Sequence, residues 1–234
     1  MIGIPVYNDI VGIQNMIYSL IESTQVIDKI VLLESESTDG SAEFCDEIAK
    51  IHDFIEVIHT PKLGPLAAYN LLFELAKQRK EDLFLTQTDV YFPKCKKDWL
   101  NEMQIMAKDE KCGMITCYGG GGVSGKDFIK GFKWVGAWCT YIPFRTIKKL
   151  GGYDKHIPLG WGVDIDYSYA VIKSGLNIYQ IDYWVEHTPN YKTNHEHEKV
   201  DNIEQLKKEA FDYMRNKWKF HILNDIGMSV INEK

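Results

Sequence analysis

The 234-residue sequence predicts an α/β fold: a mixed, mainly parallel sheet flanked by helices, with a further helix at the C-terminus. Three observations carry this reading. Short β-branched runs alternate with longer amphipathic segments through the first half, a pattern that resolves as strands covered by helices. The segments between runs are long enough for right-handed β-α-β crossovers. Polar clusters follow the runs, where sheets of this kind bind ligands, at the carboxyl ends of their strands.

The expected strands of the first half are IGIPV (2–6), KIVLLES (29–35), FIEVIH (54–59) and DLFLTQT (82–88). Helices are expected near 10–23, 41–52 and 65–79, after turn and capping residues such as Asn8, Asp39 and Ser41. Beyond residue 90 come a helix near 97–108, a strand GMITCY, a glycine run and a strand-like KWVGAWCTYIPF. A helix over 163–173 and a strand NIYQIDYWVEH follow. The tail from Asp201 to Phe220 puts Ile203, Leu206, Ala210, Met214 and Trp218 on one helical face. Such a helix packs on the domain or lies on an anionic membrane surface, and both readings stay open here.

Composition narrows the function. A net charge of -6 gives no general attraction to nucleic acid. No basic and apolar leader opens the chain and no run of eighteen apolar residues occurs, so the expected location is cytoplasmic, with peripheral membrane contact through the tail helix as the variant. The five cysteines are scattered without CxxC spacing, which disfavours a disulfide framework or a zinc knuckle. His187, His195 and His197 lack the HExxH spacing of a zinc site.

The segment YGGGGVSGKDF contains Gly120-x-x-x-x-Gly125-Lys126 and so invites a phosphate-binding loop. Asp127 stands where Ser or Thr should hold Mg²⁺, and DFIKGFKW has weak helical periodicity, so an NTPase is excluded. The glycines instead suggest a loop free enough in φ and ψ to close over a bound substrate.

Four polar clusters remain: VYND (6–9), ESESTDGS (34–41), QTDVYFP (87–93) and GWGVDIDYS (160–168). In this order they resemble the GT-A glycosyltransferases, most closely the inverting family 2, over about residues 2–190. IPVYN is similar to the family's opening strand and turn, VLLESESTDGS to its vvDngStDgt segment, and KLGPLAAYNLLFELA to its N-x-G-x-x-x-A-x-N helix. LFLTQTDVYF resembles the DxD metal motif, and LGGYDKHIPLGWGVDIDYSYAVIKSG resembles the segment ending in the ED pair, with a GWGxDxD core like that of β-galactosyltransferases.

The resemblance implies one domain over 1–234, with a donor half (1–92), an acceptor and catalytic half (93–190) and a C-terminal loop and helix (191–234). It implies nucleotide-sugar contacts at Pro5, Tyr7, Asn8, Glu34, Asp39, Lys62, Asn70, Thr88 and Asp89, the donor being UDP-linked. Gln87 replaces the first acid of DxD, so Mn²⁺ or Mg²⁺ would rest on Asp89, with His187 as a further ligand. Asp164, at the ED aspartate, is the implied general base; Val163 precedes it and Ala170 takes the place of a family Arg. Trp161 between two glycines, with Gly162 and Asp166, is expected at the acceptor, a glycan, a lipid-linked sugar or a protein. Asp166 lies about 200° around the helix from Asp164, which argues against a shared role and leaves to it the support of neighbouring side chains or the capping of the helix. The changes at Gln87, Val163 and Ala170 also fit a second reading, a GT-A-shaped carbohydrate or nucleotide binder without turnover. A nucleotidyltransferase is disfavoured because YNDIVG is not a basic, glycine-rich segment.

Overall fold

The computed structural model describes residues 1–25, 27, 29–95, 98–120, 128–129, 132–133, 135–187 and 201–218. The elements run β1 (Ile2–Val6), α1 (Ile10–Ser23), β2 (Ile30–Glu34), α2 (Ser41–Ile51), β3 (Ile55–His59), α3 (Pro65–Arg79) and β4 (Leu83–Thr86). The second half adds β5 (Val90–Tyr91), α4 (Trp99–Met106), β6 (Cys112–Gly120), β7 (Phe128–Ile129), β8 (Phe132–Lys133), β9 (Cys139–Ile142), α5 (Phe144–Leu150), α6 (Val163–Lys173) and β10 (Asn177–His187). A last helix, α7, covers Ile203–Trp218. The main sheet has the order β3-β2-β1-β4-β9-β6-β10-β5. β3, β2, β1 and β4 are mutually parallel, β9 reverses, β6 and β10 pair in parallel, and β5 closes the far edge antiparallel to β10.

Both faces of the sheet are covered, and alternation along each strand divides the core. Ile30, Leu32 and Phe84 pack with Ile13, Met16, Ile17 and Trp99 on the α1, α2 and α4 side. Val31, Leu33, Leu83 and Leu85 pack with Leu72, Phe73, Ile147 and Met214 on the other. Gly3 permits this second layer, since a Cβ there would stand 3.1 Å from both Leu72 methyls.

The structure departs from the expected elements in three places. The strand expected over 82–88 stops at Thr86, and a turn closed by the Val90 N–H on the Gln87 carbonyl (3.3 Å) leads into the unforeseen β5. The expected 133–144 strand is divided: Lys133 ends β8, Cys139–Ile142 form β9, and Pro143 then starts α5, whose seven residues are too few to show a helical period. Phe128–Ile129 and Phe132–Lys133 form an antiparallel pair. The Gly125-Lys126 segment, His195 and His197 lie outside the described residues. Among the described residues no helix is long and apolar enough to cross a membrane.

Candidate active site

The carboxyl ends of β1, β2 and β4 bring the first three polar clusters together. Asp9 caps α1 by accepting the Gly12 N–H (3.2 Å), and its other oxygen takes the Thr88 hydroxyl (2.6 Å), tying the turn after β4 to the turn after β1. Gly12 is required, because a Cβ there would fall 2.1 Å from Asp9 Oδ2. Asn8, at φ 46°, accepts the Thr38 N–H (2.7 Å), and Asp39 accepts the Ile10 (2.9 Å) and Ser41 (3.0 Å) N–H groups. These contacts brace the loops against each other. Glu34 is 2% exposed: Oε1 accepts the Ser37 N–H (2.6 Å) and Oε2 meets His59 Nδ1 (2.9 Å). Burial pushes the Glu34 carboxyl up, but its bonds to Ser37 and His59 together outweigh that and hold it below its ordinary value.

A cavity of about 1030 Å³ opens beside these loops. Pro5, Tyr7, Lys62, Asn70, Thr88 and Asp89 line it, whereas Asn8, Glu34, Asp39, Asp164 and His187 do not. Lys62 Nζ donates to the Tyr7 hydroxyl (2.5 Å) at its mouth. The opposite wall comes from α3 and from Lys155–Gly160.

β5 explains how Asp89 meets a residue nearly a hundred positions away. Val90 pairs with His187, so Asp89, one residue before β5, stands beside the end of β10. His187 Nε2 lies 3.4 Å from Asp89 Oδ2. The imidazole stacks on Trp138, and its Nδ1 is buried with no hydrogen-bond partner among the described residues. A carboxylate and an imidazole this close present one oxygen and one nitrogen donor for a divalent cation. Among the described residues no group of three or more His, Cys, Asp or Glu is arranged to hold a metal ion.

Asp164 sits in the first turn of α6, where Gly162 at φ 83° starts the helix. Its Oδ1 accepts the Ile165 N–H (2.9 Å). Burial raises the carboxyl to about 6, against opposing hydrogen bonds that include the Ala137 N–H. Behind it lie the rings of Tyr69, Phe73, Tyr153 and Tyr167, packed at 5.0 to 5.8 Å between centroids. Tyr69 accepts a short hydrogen bond from the Gln87 amide. Burial pushes the Tyr69 phenol well up, and the charges of Asp89 and Asp164 add to this.

Residues 1–133, more than half of the chain, match the family described as Glycosyl transferase family 2. The chain belongs to glycosyl transferase family 2. Comparison with curated proteins finds no match. Among solved structures, this family 2 glycosyltransferase is similar to the mannosyltransferase PcManGT from Pyrobaculum calidifontis in complex with GDP-Man and Mn²⁺, with a TM-score of 0.65 and 16% identity over 93% of this chain and 70% of that one. It is also similar to S. aureus TarS 1–349 in complex with UDP, with a TM-score of 0.63 and 13% identity over 99% of this chain and 75% of that one. A third is GalNAc-T7 with UDP, GalNAc and Mn²⁺, with a TM-score of 0.63 and 14% identity over 96% and 56% of the respective chains. At these identities the likeness establishes the GT-A fold.

In this glycosyltransferase α7 covers the GWGVDID segment. Lys207 Nζ stands 4.4 Å from the Trp161 ring centroid, so that face of the indole is occupied. A Cβ on Gly162 would fall 2.8 Å from Met214 Cε. Asp166 is 3% exposed, and its oxygens take Trp218 Nε1 and Lys217 Nζ, each at 2.7 Å. Asp164 and Asp166 thus face different neighbours, as their angular separation on the helix requires. Sequence reasoning missed Asp9, His59, Tyr69 and Trp138. Asp9 carried a signal, the Asx position before a helix, whereas Tyr69 and Trp138 read as ordinary core aromatics.

Proposed function

We propose that this family 2 glycosyltransferase moves one sugar, with inversion, from a nucleoside diphosphate sugar, UDP-linked, to a hydroxyl of a glycan, lipid-linked or protein acceptor. The observation that carries the reading is the meeting of Asp89, which lines the cavity, with His187 at 3.4 Å.

Pro5, Tyr7 and Lys62 bind the nucleoside, and Thr88 and Asp89 face the diphosphate. Asn8, Glu34 and Asp39 shape the loops around it. Asp89 and His187 would hold Mn²⁺ or Mg²⁺, which when bound neutralises charge developing on the departing diphosphate. Asp164 accepts the acceptor hydroxyl's proton on its carboxylate as the oxygen attacks the anomeric carbon and the bond from that carbon to the diphosphate oxygen breaks. A carboxyl poised near 6 is ionised at neutral pH, yet more basic than an exposed aspartate. The lining of the cavity by residues of both halves of the chain supports one domain with a donor and an acceptor side.

The competing reading, a binder without turnover, draws support from Gln87, whose amide is committed to Tyr69. Nucleoside diphosphate release from UDP-, GDP- and dTDP-sugars, with Mn²⁺ or EDTA and with an acceptor panel, decides between them. Release from one donor, abolished by EDTA and by Asp164→Asn, is the expected result. Nucleotide binding with no release under any condition would favour the binder.

A further inference from the structure

Residues 154–166 line the cavity at Lys155–Gly160, carry Trp161 and present Asp164. The backbone here is unusual: Leu159, Gly160 and Gly162 have φ of 55°, 69° and 83°. A left-handed leucine is disfavoured by its own side chain, so local preference does not fix this shape. Both ends of the segment are instead fastened to one nitrogen. Lys217 Nζ donates to Asp154 Oδ2 (2.9 Å) and to Asp166 Oδ2 (2.7 Å). The Tyr213 hydroxyl adds a bond to Asp154 (2.9 Å), and Trp218 Nε1 adds one to Asp166 (2.7 Å) while its ring packs edge-on against Tyr169. Burial pushes the Asp154 carboxyl up, and bonds led by Lys217 outweigh it, holding the group well below its ordinary range. With Asp166 almost fully covered and Lys217 reaching in from the surface, this is a half-buried charge cluster whose geometry is held by its hydrogen bonds.

We propose that Lys217, with Tyr213 and Trp218, is a positioning residue for sugar transfer: α7 clamps both ends of the 154–166 segment and so sets where the cavity wall and the Asp164 carboxylate stand relative to the donor. The proposal rests on Asp164 acting as the base. The proposed donor contacts at Pro5, Tyr7, Lys62 and Thr88 come from other strands and loops, so the clamp acts on turnover far more than on nucleotide affinity.

The test compares Lys217→Met, Lys217→Arg and Trp218→Phe in the full chain. Binding of UDP or GDP, whichever the unsubstituted protein takes, is measured by calorimetry, and transfer by product formation. Lys217→Met should lower kcat about 10- to 100-fold, as a misplacement near 1 Å does, with nucleotide Kd within about twofold. Lys217→Arg, whose guanidinium can span two carboxylates, should recover most of that loss. Trp218→Phe keeps an aromatic ring beside Tyr169 while removing the indole N–H that Asp166 accepts, so it reads the clamp even if Lys217→Met fails to fold. Folded variants that transfer at the unsubstituted kcat, or that lose nucleotide affinity in step with activity, would overturn the proposal. Asp164→Asn is run alongside: full activity there sinks the base assignment, while the split between kcat and Kd in the clamp variants is read separately.

Discussion

Trp138 lies face to face with His187, their ring centroids 5.0 Å apart and their planes 5° from parallel. Gly136 makes room for this indole, since a Cβ there would fall 2.4 Å from Trp138 Nε1. The stack holds the imidazole edge toward Asp89.

Removing the stack should therefore loosen the proposed metal site without touching a ligand. Trp138→Leu is expected to raise the Mn²⁺ concentration for half-maximal nucleoside diphosphate release about 10-fold, the usual effect of losing a group that orients a ligand. Trp138→Phe, which keeps a flat ring, should stay within about threefold. Equal Mn²⁺ requirements in all three proteins would show that the stack does not orient a ligand.

Asp164→Asn should reduce transfer by about 10²- to 10⁴-fold, the range for loss of a general base. It should also stabilise the fold. The folded carboxyl titrates at about 6, above its ordinary 3.8, so its charge opposes folding fully above pH 6 and not at all below 3.8. At pH 7.5 the neutral variant should gain on the order of 1 to 3 kcal/mol in urea unfolding, and nothing at pH 3.5. The same titration predicts that kcat of the unsubstituted enzyme falls as pH drops through about 6.

The His59 and Glu34 pair gives a different pH signature. Hydrogen bonds to Glu34 and Asp46 raise His59 above 6.5, and Glu34 is held below 4.5. Stability from the carboxylate is present above pH 4.5, and that from the imidazolium is fully present below 6.5 and fades as pH rises through its folded value. His59→Ala should consequently destabilise the protein more at pH 5.5 than at pH 8.5, as read by denaturation midpoints. A loss that grows with pH would contradict the pairing.

Gly162→Ala forces a side chain into a left-handed site, where the backbone alone costs about 1 to 2 kcal/mol. The new methyl would also press on Met214, so limited proteolysis should cut α7 faster in this variant.

The first four strands were legible because a buried parallel sheet writes itself as β-branched runs, IVLLE in β2 being the clearest. β5 was not, since two residues show no period and their partner lies at the end of β10. The cluster around Asp166 was equally hidden: its lysine is 51 residues away, and nothing local in DID or RNKW predicts the pairing. Asp89, His187 and Asp164 were named from family resemblance, while the Gln87 bond to Tyr69 emerged only from packing.

The Val90 to His187 register has a consequence for how this enzyme comes into being. A chain synthesised only as far as β9 already carries the loops after β1, β2 and β4, but just one of the two proposed metal ligands. On that proposal the second ligand arrives only with the last strand, and fraying of that sheet edge would part the two ligands while the cavity beside β1 and α3 stayed in place.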